Sequence, residues 1–288
     1  ETLPGQLEKV RKDSFLTCLQ YFFYKININN FMMHNYFTIT AGRTGSAWLA
    51  SFLSQNLNIN EVHEFLGIND FGHKMPDIRT MRNFNNFGNN EFVQNFWKRK
   101  FEYIPNELYS ETNHTLCKCG LVENIILNKR ENYTTLIILK RDMTDQCVSY
   151  LERNDFGNIT IAWQWYLHPS YLKKIINPKP FMQFGNLGQP LWYCYEMAAR
   201  QEYYSQKFSD KVKMIEVSLE EIVTNIGAKK LHLDLDFSGE CKIPAEKNQN
   251  KANRNTQLIT FVKEIVEKKI KIDIPDIVKK AIKNGFTF

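Results

Sequence analysis

With 288 residues, 43% of them hydrophobic and 24% charged, the chain has the composition of a globular protein with a sizeable core. It contains no apolar run of about 18 residues or more, so it carries no membrane-spanning helix. Its formal charge of +6 suits anionic ligands, but it is dispersed along the sequence, which argues against nucleic acid as the partner.

Six cysteines are scattered, and only Cys117 and Cys119 lie close together; they read as free thiols in a reducing compartment, the cytoplasm. Residues 1–35 read as a mainly helical N-terminal extension that runs into an Asn-rich loop. Tyr36 to Thr40 is β-branched and aromatic and predicts a buried strand. After a turn, Leu49, Phe52, Leu53 and Leu57 follow the period of an amphipathic helix. Residues 59–65 predict a short strand ending in His63-Glu64. Residues 66–113, rich in Asn, Gly, basic and aromatic side chains, read as an irregular lid or acceptor-binding region.

Thr115 to Leu121 predicts a strand with Cys117 and Cys119 on opposite faces, followed by a helix over 122–128. Thr134 to Leu139 is a continuous apolar run fitting a central parallel strand. Downstream the pattern predicts a loop and helix over 141–153 and helical material over 161–176. A Pro/Gly loop over 177–190, a long helix over 191–208 and a strand over 212–217 follow. A basic loop over 242–255 and two closing helices, 256–270 and 275–284, end the chain. This alternation predicts one α/β domain, residues 1–288, with a parallel sheet flanked by helices.

Two segments carry chemistry. Ala41-Gly42-Arg43-Thr44-Gly45-Ser46 lies between a strand and a helix start, where unpaired N–H groups of the first helical turn can cradle an anion. It is not the nucleoside-triphosphate pattern GxxxxGK(S/T): the glycines are too close and no Lys follows. Arg141, just past the central strand, and Ser149, on the next helix, can clamp one phosphate with a guanidinium fork and a hydroxyl.

These segments resemble the two donor-binding motifs of sulfotransferases that use 3′-phosphoadenosine 5′-phosphosulfate (PAPS). The first is similar to (K/R)-(S/T)-G-(S/T)-(S/T)-W-L, matched by Arg43, Thr44, Gly45, Ser46, Trp48 and Leu49, with Ala47 in place of one hydroxyl. The second is similar to R-(D/N)-P-x5-S-x-(Y/F), matched by Arg141, Asp142, Ser149 and Tyr150, with Met143 in place of Pro. The resemblance implies a P-loop-like sulfotransferase fold. It also implies donor contacts from Gly42 to Trp48 and from Arg141 and Ser149, with Lys251 and Arg254 closing over the 3′-phosphate. PAPS is then the donor, 3′-phosphoadenosine 5′-phosphate (PAP) the product, no metal is required, and the acceptor carries a hydroxyl.

Relatives use a His in a K-T-H motif as base. The matching stretch here keeps Lys118 but has Gly120 where the His would stand, so Lys118 is expected near the reaction and the base elsewhere. Glu64, or else His63, occupies the place where other members carry a carboxylate within H-E-P; Phe65 replaces that Pro. Since adjacent strand residues face opposite ways, one of the two is expected to reach the site. His73 and His114 read as ordinary surface residues. A small metabolite is the expected acceptor, with a glycan as the alternative. Outside the class stand a P-loop kinase and a non-catalytic PAP-binding module.

Overall fold

The computed structural model describes residues 34–105, 107–157, 165–245 and 255–288. Most of the N-terminal extension, together with Lys251 and Arg254, lies outside the described residues. Four strands, β1 (Asn35–Ile39), β2 (Tyr109–Glu111), β3 (Thr134–Lys140) and β4 (Lys213–Ser218), form one sheet in the order β2-β1-β3-β4, every pairing parallel. The expected parallel α/β architecture, with helices on the sheet, is observed.

The register follows from the residues. β3 (TTLIILK) lies between β1 and β4, with Leu136 opposite Phe37 and Ile138 opposite Ile39 and Glu216. Side chains alternate along it. Leu136 and Ile138 join Phe37 and Ile39 in one core, while Ile137 and Leu139 join Tyr36 and Val217 in a second. Helix α1 (Ser46–Leu57) buries Trp48, Leu49, Phe52 and Leu53 in the second core. Such side chains contribute about 1.5–3 kcal/mol each when fully buried.

The first core is covered by α2 (Ile78–Phe87), α3 (Glu91–Tyr103), α4 (Leu121–Leu127), α5 (Met143–Glu152), α6 (Lys179–Met182) and the long α7 (Gly188–Phe208). Beyond β4 come α8 (Leu219–Ile222), α9 (Asn225–Asp234), α10 (Thr256–Glu264) and α11 (Ile274–Lys283). Among the described residues, no helix is long and apolar enough to cross a membrane.

The strand order makes the site. From β1 the chain moves to β2 on one side, then returns to β3 on the other, opening a crevice beyond the carboxyl ends of β1 and β3. Gln201 of α7 closes the underside, its side-chain N–H groups donating to Ile39 O at 3.1 Å and Leu139 O at 2.8 Å.

Four local expectations are corrected. Residues 59–65 form no strand; Thr112, the residue after β2, donates its N–H to Val62 O at 3.1 Å. Residues 115–121 are not a strand either. Asn113 Oδ1 accepts from Thr115 N–H and Oγ1, and the chain then enters a 3₁₀ turn, Leu116–Lys118, so alternation of Cys117 and Cys119 gives way to burial of both.

Residues 66–113 contain α2 and α3 rather than irregular chain, started by the side chains of Asp77 and Asn90, which cap Thr80 N–H and Val93 N–H. The described part of 161–176, residues 165–176, runs as turns and bends in place of a helix.

Glu123 on α4 gives a test of this packing. Its Oε1 is buried with no donor, Tyr204 Oη donates to Oε2 at 3.4 Å, and burial pushes its carboxyl up to about 7. The folded state therefore holds this proton more tightly than the unfolded chain, and stability falls as pH rises from the ordinary carboxylate range through about 7. Glu123→Gln should gain on the wild type through that window, by on the order of 2–3 kcal/mol. Urea melts from pH 4 to 8 check this; a pH-independent difference would refute it.

Candidate functional site

The loop after β1 is built on left-handed backbone. Gly42, Arg43 and Gly45 have φ of 87°, 55° and 81°, and Gly45 stands immediately before α1 without a side-chain cap. A Cβ on Gly45 would lie 2.2 Å from Leu219 Cδ1; one on Gly42 would press on Tyr150 Oη at 3.2 Å and His114 Cγ at 3.3 Å. Leu49 N–H makes the first bond of the helix, to Gly45 O at 3.1 Å. The N–H groups of Ser46, Ala47 and Trp48 precede it and have no intrahelical carbonyl to meet. No acidic residue lies in that turn, so its positive end is open to an anion.

The loop carbonyls are held from behind. Ala41 O accepts from Tyr193 Oη at 2.6 Å, Gly42 O accepts from Gln146 Nε2 at 3.0 Å, and the single Tyr150 hydroxyl proton is shared between Ala41 O at 2.8 Å and Gly42 O at 2.9 Å. Arg43 O accepts from Arg141 Nη1 at 2.8 Å. Pinning the carbonyls fixes the peptide planes, and so fixes where their N–H groups point. Thr40 and Thr44 hydroxyls bond to each other inside the loop.

The two segments singled out in the sequence meet here. Arg43 Nε donates to Ser149 Oγ at 3.0 Å, while Arg141 grips the same residue's carbonyl. Met143, where relatives of the motif carry Pro, is the first residue of α5 after the Asp142 cap, a position that accepts Pro or a helix former alike. Beside the loop, Thr44, Lys140, Arg141, Gln146, Gln201 and Glu202 line a cleft of about 220 Å³. Trp48 packs into the core, stacked on Phe52 with centroids 5.4 Å apart, so its indole supports the loop from below. Ala47 is half-buried at the start of α1.

A second set of groups faces the loop from the β2 side. His63 Nε2 lies 2.9 Å from Ser46 Oγ and 3.9 Å from Glu64 Oε1. Because 59–65 is an open loop, His63 and Glu64 both reach the site, and the expected choice of one face does not arise. Burial pushes the Glu64 carboxyl above the usual carboxylate range, partly offset by His63 and Lys118.

His114, expected at the surface, is 7% exposed, with Nε2 3.5 Å from Glu64 Oε1 and Nδ1 2.8 Å from Lys118 Nζ. Burial and the Lys118 charge hold the imidazole well below its ordinary pKa. Lys118 is fully buried, donating to Trp165 O at 2.6 Å and Tyr193 Oη at 3.0 Å, and burial pulls its ammonium down to about 7. Expected beside the reacting groups, it instead sits behind His114. His73 is exposed, as expected. Gly120 begins α4 at φ 86°, packed under Phe84.

Sequence reasoning missed His114, Gln146 and Tyr193. A His three residues past the carboxyl end of a parallel strand is the one signal that was present, and it became readable only once β2 was located at Tyr109–Glu111. Among the described residues, no group of three or more His, Cys, Asp or Glu is arranged to hold a metal ion.

No protein-family model matches the sequence, and no curated protein matches it. Among solved structures, the chain is similar to a sulfotransferase from Alicyclobacillus acidocaldarius at 18% identity and a TM-score of 0.39, over 78% of this chain and 87% of that one. It is also similar to the sulfotransferase domain from the curacin biosynthetic pathway, at 10% identity and a TM-score of 0.39, over 88% of this chain and 98% of that one.

The loop geometry yields a direct test. Gly42→Ala places a side chain at positive φ against Tyr150 and His114, and should cost roughly 1–3 kcal/mol of stability while leaving the secondary structure intact. Denaturant melts followed by circular dichroism measure it; a wild-type midpoint would mean the loop is free to relax.

Proposed function

We propose that the chain is a PAPS-dependent sulfotransferase that moves a sulfuryl group to a hydroxyl of a small-molecule acceptor by in-line displacement. The observation that carries this reading is the meeting of Arg43, Arg141 and Ser149 at a helix N-terminus with no acidic residue in its first turn. Such a cradle fits a phosphosulfate and a second phosphate better than a metal–triphosphate pair, since the loop has no Lys to reach between phosphates.

PAPS supplies the sulfuryl group when bound. Arg43 and the N–H groups of Ser46, Ala47 and Trp48 neutralise charge on its 5′ side. Arg141, with Ser149, receives the 3′-phosphate. Glu64 takes the proton of the acceptor hydroxyl as the oxygen–sulfur bond forms and the bond from sulfur to the phosphate oxygen breaks. Partial burial suits Glu64 to that role, because a raised pKa makes the carboxylate a stronger base. His63 is the alternative base, and its Nε2 is engaged by Ser46 Oγ. Residues 66–113, whose Tyr103 ring on α3 packs against Phe65 next to Glu64, form the acceptor side.

PAP without metal should raise the melting temperature, whereas a kinase would respond to ATP with Mg²⁺. Arg141→Ala should weaken PAP about tenfold or more, as expected for the loss of a charge-assisted bond, while adenosine 5′-phosphosulfate, which lacks the 3′-phosphate, is nearly unaffected. Glu64→Gln should lower turnover by roughly 10²–10⁴ with PAP affinity unchanged. A collapse in His63→Asn with near-normal Glu64→Gln transfers the base to His63. Normal turnover in both variants rejects this mechanism, and a variant set that binds PAP but never turns over any acceptor favours a non-catalytic module.

A further inference from the structure

Lys118, His114 and Glu64 form a line of polar groups inside the fold whose proton positions are set by counting donors. Lys118 Nζ has three neighbours: Trp165 O at 2.6 Å, Tyr193 Oη at 3.0 Å and His114 Nδ1 at 2.8 Å. Trp165 O is an acceptor only. Tyr193 spends its own proton on Ala41 O at 2.6 Å, so toward Lys118 it accepts. An ammonium has three N–H donors and no lone pair, which leaves His114 Nδ1 to accept the third. A neutral imidazole that accepts at Nδ1 carries its proton on Nε2. That nitrogen faces Glu64 Oε1 at 3.5 Å.

We propose that His114 is a positioning residue for Glu64: the Lys118 ammonium selects its Nε2–H tautomer, and that N–H aims and holds the carboxylate that takes the acceptor's proton. The same ammonium holds Tyr193, which holds Ala41 O, so the acceptor-side carboxylate and the donor-side loop are registered on one buried charge. This inference rests on the reading of Glu64 as the base and adds how that base is oriented. His114 does not compete for the proton, because burial and Lys118 keep its ring neutral. The other titratable groups acting on Glu64 are His63, Glu111 and Arg153, and of these only His63 lies within 4 Å of its carboxylate oxygens among the ion pairs described.

The test reads the ring nitrogens of His114 by ¹⁵N NMR in the full chain at about pH 6, where Lys118 is charged and the buried imidazole is neutral. The expected spectrum is that of the Nε2–H tautomer, and Lys118→Met should release the ring to a mixture of both tautomers. An Nδ1–H tautomer in the wild type overturns the proposal, as does a spectrum unmoved in Lys118→Met. Activity supplies the second readout. His114→Phe, which keeps the ring shape without the N–H, should lower kcat by about 3–10-fold, as expected for losing a long N–H contact to a carboxylate, with PAP affinity unchanged. It should also move the acid limb of the pH profile upward, because Glu64 loses a donor that favours its charged form. His114→Gln, whose amide can reach Glu64, should restore most of both; equal losses in the two variants count against the proposal. If His114→Phe does not fold, the wild-type tautomer still decides. A chain inactive toward every acceptor yet carrying the Nε2–H tautomer would defeat the sulfotransferase reading and leave the tautomer selection standing.

Discussion

The Ala41 carbonyl, accepting from Tyr150 and Tyr193 together, is the point on which the site depends. It lies two residues past β1, and the two tyrosines come from α5 and α7, the helices that cover the sheet there. A buried carbonyl held by the Tyr193 hydroxyl and by a Tyr150 hydroxyl shared with Gly42 O is kept from rotating toward water. The chain that follows is thereby directed into the left-handed turn of Gly42 and Arg43, and the α1 N-terminus faces the crevice. Arg43, although not a glycine, adopts φ of 55° because Arg141 and Ser149 hold its carbonyl and its guanidinium from two sides. Backbone strain at a site of this kind persists when neighbouring groups over-determine it.

Behind the opposite wall lies a buried polar network of the same character. Lys100 Nζ meets Glu111 Oε2 at 2.6 Å with neither side chain exposed, and Glu111 also accepts from Tyr109 Oη at 2.8 Å and Asn113 Nδ2 at 3.0 Å. Asn113 in turn starts the turn through Thr115. Removing one partner of such a pair costs about 3–5 kcal/mol, whereas the pair itself adds little net stability, so its effect is on geometry. Here that geometry is the path of residues 111–118, which presents His114 to Glu64 on one side and Lys118 on the other. α3 thus helps to set that path through Lys100.

Much of the architecture was legible in the sequence because its signals are local. The apolar run of β3, the helical period of Leu49, Phe52 and Leu53, and the pairing of a Gly-containing loop with a downstream Arg and Ser each follow from a few consecutive residues. The caps of α2 and α3, Asp77 and Asn90, were equally local, and were hidden by the Asn-rich, polar look of the helices they start. The stretch 115–121 was misleading for a reason of the same kind: its alternation has the period of a strand, but Asn113 and the positive φ of Gly120 turn the chain instead.

The sequence by itself determined the parallel α/β plan, the Gly-containing turn before α1 and the residues available for chemistry, since strand pattern, glycine placement and residue type are properties of short segments. Only the tertiary structure decided which of those residues meet. His114 was one polar residue among many until β2 lay beside β1 and brought it against Glu64. Lys118 was expected beside the reaction until burial on all sides made it a support for the imidazole. The reason is physical: a histidine's tautomer and a lysine's charge are set by what surrounds them within a few ångströms, and here those surroundings come from β1, β2, α7 and the segment holding Trp165, which are far apart in the chain.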